Sequence, residues 1–261
     1  MTRDPEHALS FGQAVSDYER GRPSYPREAV DWIVERAGEA RAAADGRLAQ
    51  AADVGAGTGK FTASLVAHGL EVTAVEPDPA MLARLATNHP AAAALAGTAE
   101  SLPLDDGSVD LVTFAQAWHW VDVQAASVEA ARVLRPGGTL ALVWNIRDAD
   151  VDWVAALGDI MGSSEAEQYS SEEPHLGPPL AAAEYAQFRW ENPLTREELL
   201  AMITSRSYVI TMDAAERDAM LARVEHLLDT HPQVAGGQSY LLPYLTRVTL
   251  ARAVEGGVSP A

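Results

Sequence analysis

The residues of this 261-residue chain best suited to chemistry are Asp53-Val54-Gly55-Ala56-Gly57-Thr58-Gly59, where a short apolar run ends and a helical pattern begins. Glycines at alternate positions let the backbone turn sharply and approach a ligand with no Cβ in the way, and the helix start behind them offers free N–H groups. Glu76 ends the next apolar run, 17 residues beyond Gly59. A carboxylate at that point can accept hydrogen bonds from both hydroxyls of a ribose. Loop and carboxylate together describe a nucleotide-type pocket. A nicotinamide dinucleotide site would place its third glycine one position later, to admit a pyrophosphate, and Lys60 stands there. A tight turn without a ligand would explain the glycines but not the paired Glu76.

The elements around this loop alternate. Apolar runs at 51–54, 71–75, 93–96, 109–114 and 139–144 predict strands, and 60–68, 79–88 and 123–134 have helical periodicity. Such alternation predicts a parallel sheet with helices on both faces. Arg135-Pro136-Gly137-Gly138 is a turn signal feeding the fifth strand. After Asn145 the alternation stops. Residues 148–187 read as a helical or irregular cap, broken by Pro174-His175-Leu176-Gly177-Pro178-Pro179; helical patterns resume at 196–203 and 214–230, and 242–251 reads as a late strand. The expected organisation is one domain over 1–261: an N-terminal lid segment (1–37), a cofactor-binding core (38–147), a cap and substrate side (148–235) and a closing strand (236–261).

Composition narrows the function classes. At 48% hydrophobic content the chain can bury one substantial core. With no cysteine there is no thiolate metal site and no cysteine nucleophile. A formal net charge of −18 disfavours nucleic acids and anionic membranes as partners, since both demand a basic footprint. No apolar run reaches the roughly 18 residues of a membrane span, and the start lacks a signal-peptide pattern, so a cytoplasmic location is expected. Zinc, calcium and serine-nucleophile motifs are absent.

The loop, with Gly97-Thr98-Ala99-Glu100-Ser101-Leu102-Pro103-Leu104 and Leu134-Arg135-Pro136-Gly137-Gly138, resembles the class I S-adenosylmethionine-dependent methyltransferases. Tyr18-Glu19-Arg20-Gly21-Arg22-Pro23 and Gln116-Ala117-Trp118-His119-Trp120 are similar to the small-molecule subgroup around trans-aconitate methyltransferase. The resemblance implies an α/β Rossmann-like fold, a mostly parallel seven-stranded sheet with a helical lid, and S-adenosylmethionine as cofactor. It also implies a cofactor site of Tyr18, Arg22, Asp53, Gly55, Gly57, Gly59, Glu76, Pro77, Thr98, Ala99, Glu100 and Gln116. No metal is implied.

The cofactor carries an activated methyl group, so the protein must align a nucleophile and exclude water. A carboxylate acceptor is ionised at neutral pH and needs only positioning, for which Arg22 and Arg147 are the candidate clamps. A phenol or amine would use a proton acceptor such as His119. Trp118 and Trp120 are either pocket walls or packing aromatics. A small-molecule substrate is thus expected. A non-catalytic cofactor-binding module and a nicotinamide-dependent dehydrogenase remain as alternatives.

Overall fold

The computed structural model describes residues 22–162 and 174–253. Seven strands form one sheet in the order β3-β2-β1-β4-β5-β7-β6. β1 (Gln50–Val54), β2 (Glu71–Glu76), β3 (Ala93–Ala96), β4 (Val109–Ala115) and β5 (Leu134–Arg147) are parallel neighbours. β7 (Ser239–Ala253) inserts antiparallel between β5 and β6 (Leu180–Thr195).

Alternation along β5 sets the two layers. Leu140, Leu142 and Trp144 meet Phe114, Trp118 and the Ala126–Ala130–Val133 stripe of α4 (Val123–Val133) on one face. Ala141 and Val143 meet Ile33 of α1 (Arg27–Ala43) and Phe61 and Leu65 of α2 (Lys60–Ala67) on the other. Beside β2 and β3 lies α3 (Pro79–Asn88), started by Asp78, whose carboxylate accepts from the N–H groups of Ala80 and Met81 ahead of a proline in the first turn. Asp122 caps α4 in the same way.

A third cluster sits at the far end of the β6–β7 hairpin. Trp153 and Leu157 of α5 (Asp152–Met161), Leu199 and Met202 of α6 (Arg196–Thr204), Val209 of α7 (Ser207–Ile210) and Val224 and Leu228 of α8 (Ala214–Thr230) close on Tyr240, Leu242 and Tyr244 of β7. These helices, hereafter the cap, lie within the 148–235 stretch; part of that stretch belongs to the sheet. Residues 180–187, read from sequence as helical or irregular, begin β6. The run Leu180-Ala181-Ala182-Ala183 carries no period-two polarity and alanine has little strand preference, so nothing local announces an edge strand.

Below the sheet, Asp110 is fully buried and ties four elements together. Its carboxylate accepts from Arg41 Nε (2.8 Å), Arg135 Nη1 (3.1 Å) and the N–H groups of Ala49 and Gln50 (2.9 Å each). Burial alone would raise its pKa, but the Gln50 and Ala49 amides and the Arg135 guanidinium hold it below the usual carboxylate range. Arg41 also donates to the carbonyl of Pro136. The Pro136-Gly137-Gly138 turn signal appears as an irregularity inside β5: pairing with β4 slips between Val109 and Leu111, with Gly137 at φ +74°.

Candidate active site

The site lies at the carboxyl ends of β1, β4 and β5, beside the amino-terminal half of the antiparallel β7. Three glycines after β1 hold left-handed backbone: Gly55 at φ +66°, Gly57 at +57° and Gly59 at +91°. A Cβ on Gly55 would stand 2.6 Å from Ala117 Cβ, and one on Gly59 2.3 Å from His89 Cδ2, so both conformation and space require glycine. Glu76 braces this loop from the end of β2. One carboxylate oxygen accepts from the Gly57 N–H (2.8 Å) and the other from the Asp78 N–H (2.9 Å). Burial pushes the Glu76 pKa up, and those two amides oppose the shift.

Asp53, at 0% exposure, spends one oxygen on Thr62 Oγ1 (2.6 Å) and the other on Thr113 Oγ1 (2.8 Å). Burial raises its pKa to about 6 against the pull of those hydroxyls. Gln116 follows β4 at φ +59°, a conformation that a residue with a Cβ adopts rarely and that tends to mark functional sites. Its N–H donates to Val143 O, and its side-chain Nε2 to Asn145 O (2.8 Å each).

The loop and Gln116 open onto one pocket. Its near wall is Asp53, Gly55, Ala56, Thr58, Lys60 and Phe61; its floor is Ala115, Gln116 and Asn145. Arg22, Pro23 and Tyr25 cross it from the N-terminal segment, and Tyr244 and Arg206 close the far side. Asn145 fastens these parts together. Its Nδ2 donates to Ser24 O (2.9 Å) and its Oδ1 accepts from Thr246 Oγ1 (2.6 Å), which in turn accepts from Trp190 Nε1 (2.8 Å).

Of the residues singled out from sequence, Arg22, Asp53, Gly55 and Gln116 line this pocket, and Gly57, Gly59 and Glu76 shape its loop. Pro77, Thr98, Ala99 and Glu100 lie to the other side, at the ends of β2 and β3. Thr98 bridges to Ser101, and the Glu100 carboxylate accepts from the Asp122 N–H. The stretch is held by α4: Arg132 donates to the carbonyls of Leu102 and Leu104, and Glu129 accepts from the Leu102 N–H. Tyr18 lies outside the described residues.

Trp118, His119 and Trp120 form a single 3₁₀ turn. Trp118 is fully buried, edge-on to Phe114 at 4.7 Å, with its indole N–H on His175 O. His119 is buried against Trp120, and neither lines the pocket. Arg147 ends β5 directly across from Tyr244, buried, with Nη1 donating to Met161 Sδ (2.8 Å), and it does not line the pocket. Sequence reasoning missed Asn145, Tyr244 and Arg206 as pocket residues. Among the described residues no group of three or more His, Asp or Glu could hold a metal, and no helix is long and apolar enough to cross a membrane.

A glycine-turned loop ending β1, a brace from β2 and a seven-stranded sheet with an antiparallel β7 define a Rossmann-like transferase fold. Residues 52–142 match the family model described as a methyltransferase domain. An uncharacterized methyltransferase of Mycobacterium bovis is 48% identical over 94% of this chain and 97% of its own. A methyltransferase-like protein of Schizosaccharomyces pombe is 35% identical over 91% and 93%. A solved structure from Anaeromyxobacter dehalogenans, described as a type II methyltransferase, is 25% identical with a TM-score of 0.64, covering 89% of this chain and 97% of that one. The chain belongs to the methyltransferase family, and it is a class I S-adenosylmethionine-dependent methyltransferase. The dehydrogenase and non-catalytic alternatives fall with that assignment. None of these three relatives names an acceptor.

Proposed function

We propose that the protein methylates a small-molecule acceptor, a carboxylate or other polar oxygen nucleophile, within the pocket between the glycine loop and the cap. The observation that carries this reading is the pocket's charge. In a chain of net charge −18, its lining brings together Arg22, Lys60 and Arg206, and the carboxylate there, Asp53, has each oxygen accepting a threonine hydroxyl. An acidic protein repels an anion unless local guanidinium groups offset its field.

The residues present fit S-adenosylmethionine. The space that a Cβ would fill at Gly55 and Gly59 supports a loop selected for backbone shape, and Glu76, braced by the Gly57 amide, can turn its remaining lone pairs to a ribose. Thr98, Ala99 and Glu100 would cup the adenine, with Pro77 beside Glu76. When bound, the cofactor supplies a methyl group on a positively charged sulfur, open to in-line attack. The chain's own work is to hold an already ionised oxygen in line, through Arg22, and to keep water out with the segment that Asn145 fastens at Ser24. Arg147, paired across from Tyr244, would add to the field at that end. His119 has no proton to remove from a carboxylate. The same acceptor class fits the resemblance to the trans-aconitate subgroup.

Calorimetry with S-adenosylmethionine and NADH tests the cofactor site. We expect S-adenosylmethionine to bind and NADH not to, and Glu76→Ala to weaken binding by about 1.5–3 kcal/mol, the scale for hydrogen bonds to a charged group. Micromolar NADH binding without S-adenosylmethionine binding would overturn the reading. Turnover confined to phenols and abolished by His119→Ala would replace the carboxylate with a deprotonated acceptor.

A further inference from the structure

We propose that Arg206, presented by the cap, is the anion anchor of the acceptor subsite, taking a carboxylate of the methyl acceptor. This rests on the methyltransferase reading and adds a residue that the sequence reading did not place in the site.

Strand order separates the two halves of the site. Apart from Gln116 after β4 and Arg22 on the N-terminal segment, the residues expected to hold the cofactor fall on the β1, β2 and β3 side: the glycine loop follows β1, Glu76 ends β2, and the Thr98–Glu100 stretch follows β3. The pocket extends the opposite way, across β4 and β5 to Tyr244 on β7. From β1 to β7 is three strand spacings, about 14 Å at the usual separation. A cofactor gripped at the β1–β3 side leaves the β5–β7 end for its co-substrate. The basic side chains that line the pocket divide along the same axis. Lys60 opens α2 beside the glycine loop, Arg22 crosses from the N-terminal segment, and Arg206 stands at the Tyr244 end.

Arg206 is built in rather than laid on the surface. It is 6% exposed, in the turn between α6 and α7, with its Nη2 against Met202 Sδ at 3.5 Å. Ser205 before it is also buried, its hydroxyl donating to Met202 O, and the Val209 and Ile210 N–H groups both donate to Arg206 O. These bonds fix the backbone from which the side chain starts, and a planar guanidinium can grip a carboxylate with two parallel hydrogen bonds. Arg147 stands on the same face of the sheet as Tyr244, so a second guanidinium supports the field at that end.

The test uses the full chain saturated with S-adenosylhomocysteine. Succinate, citrate and benzoate, and the neutral partners 1,4-butanediol and benzyl alcohol, are titrated by calorimetry into wild type, Arg206→Lys and Arg206→Met. We expect at least one acid to bind wild type, with its neutral partner at least tenfold weaker. Arg206→Met should weaken that acid at least tenfold and Arg206→Lys by less, while S-adenosylhomocysteine affinity stays within twofold in all three proteins. Equal acid affinity in wild type and Arg206→Met, or an acid and its neutral partner binding alike to wild type, would overturn the anchor; so would failure of every acid to bind wild type at 20 mM. The comparison of acid with neutral partner needs no mutation and stands even if Arg206→Met does not fold. Failure of wild type to bind S-adenosylhomocysteine would sink the methyltransferase site itself, a result separable from loss of the anchor alone.

Discussion

Asp53 borders the pocket and is also part of the buried hydrogen bonding that fixes β1. Its carboxylate is placed by Thr62 and Thr113, and burial raises its pKa to about 6. A carboxylate with a raised pKa binds its proton more tightly folded than unfolded, so it costs stability as pH climbs from the unfolded value through 6. Urea unfolding of the ligand-free protein at pH 5 and 7.5 checks the sign: wild type should lose about 1.4 kcal/mol relative to Asp53→Asn, one pKa unit's worth. A parallel response of the two proteins would mean that Asp53 ionises normally. The residues legible in the sequence were the glycine loop and Glu76, whose chemistry is local, and Gln116, which the family resemblance supplied. Asn145, Tyr244 and Arg206 were not, because their meaning comes from partners far along the chain. Asn145 meets Ser24 across 121 positions, and nothing in the spacing of either foretells it.

Among the elements, the five parallel strands and the helices between them were readable because each carries its own signal: a continuous buried run in β4, a capping aspartate before α3 and α4. β6 was not, since its opening run Leu180-Ala181-Ala182-Ala183 has neither alternating polarity nor strand preference, although burial alternates further along the strand. What fixes the elements against one another is also long-range. Asp110 joins α1, the start of β1, β4 and the start of β5 through two arginines and two amides. Replacing it by alanine leaves the Arg41 guanidinium, with 9% of its side chain exposed, facing a void. Removing one member of such a buried pair costs about 3–5 kcal/mol, so Asp110→Ala should lower the urea midpoint strongly while cofactor affinity of the folded fraction holds. A midpoint within error of wild type would show the cluster to be dispensable. The depressed Asp110 pKa also means that its stabilisation is full at neutral pH and is lost as pH falls below about 4, through the folded value.

Over the whole molecule, two hydrophobic clusters sandwich the sheet and a third fills the cap, which reaches the sheet mainly through the β6–β7 hairpin. Such an arrangement allows the cap to open without the sheet. Leu228→Ala, in the middle of the third cluster, removes a fully buried side chain and should cost about 2–5 kcal/mol. Hydrogen exchange should then quicken in α5, α6 and α8 and leave β1, β2 and β4 as protected as before. Uniform quickening would mean a single cooperative unit. The strand order carries a further consequence, for the order in which the chain is made. β6 leaves the ribosome before β7, yet among the described residues its strand partner is β7 alone, and β7 must first find β5. Until residues 239–253 are synthesised, β6 has no place in the sheet and the cap helices that close on Tyr240, Leu242 and Tyr244 have no floor. Tyr244 is also a wall of the pocket, so the glycine-loop wall is synthesised long before the wall opposite it, and the pocket is closed last on the β7 side.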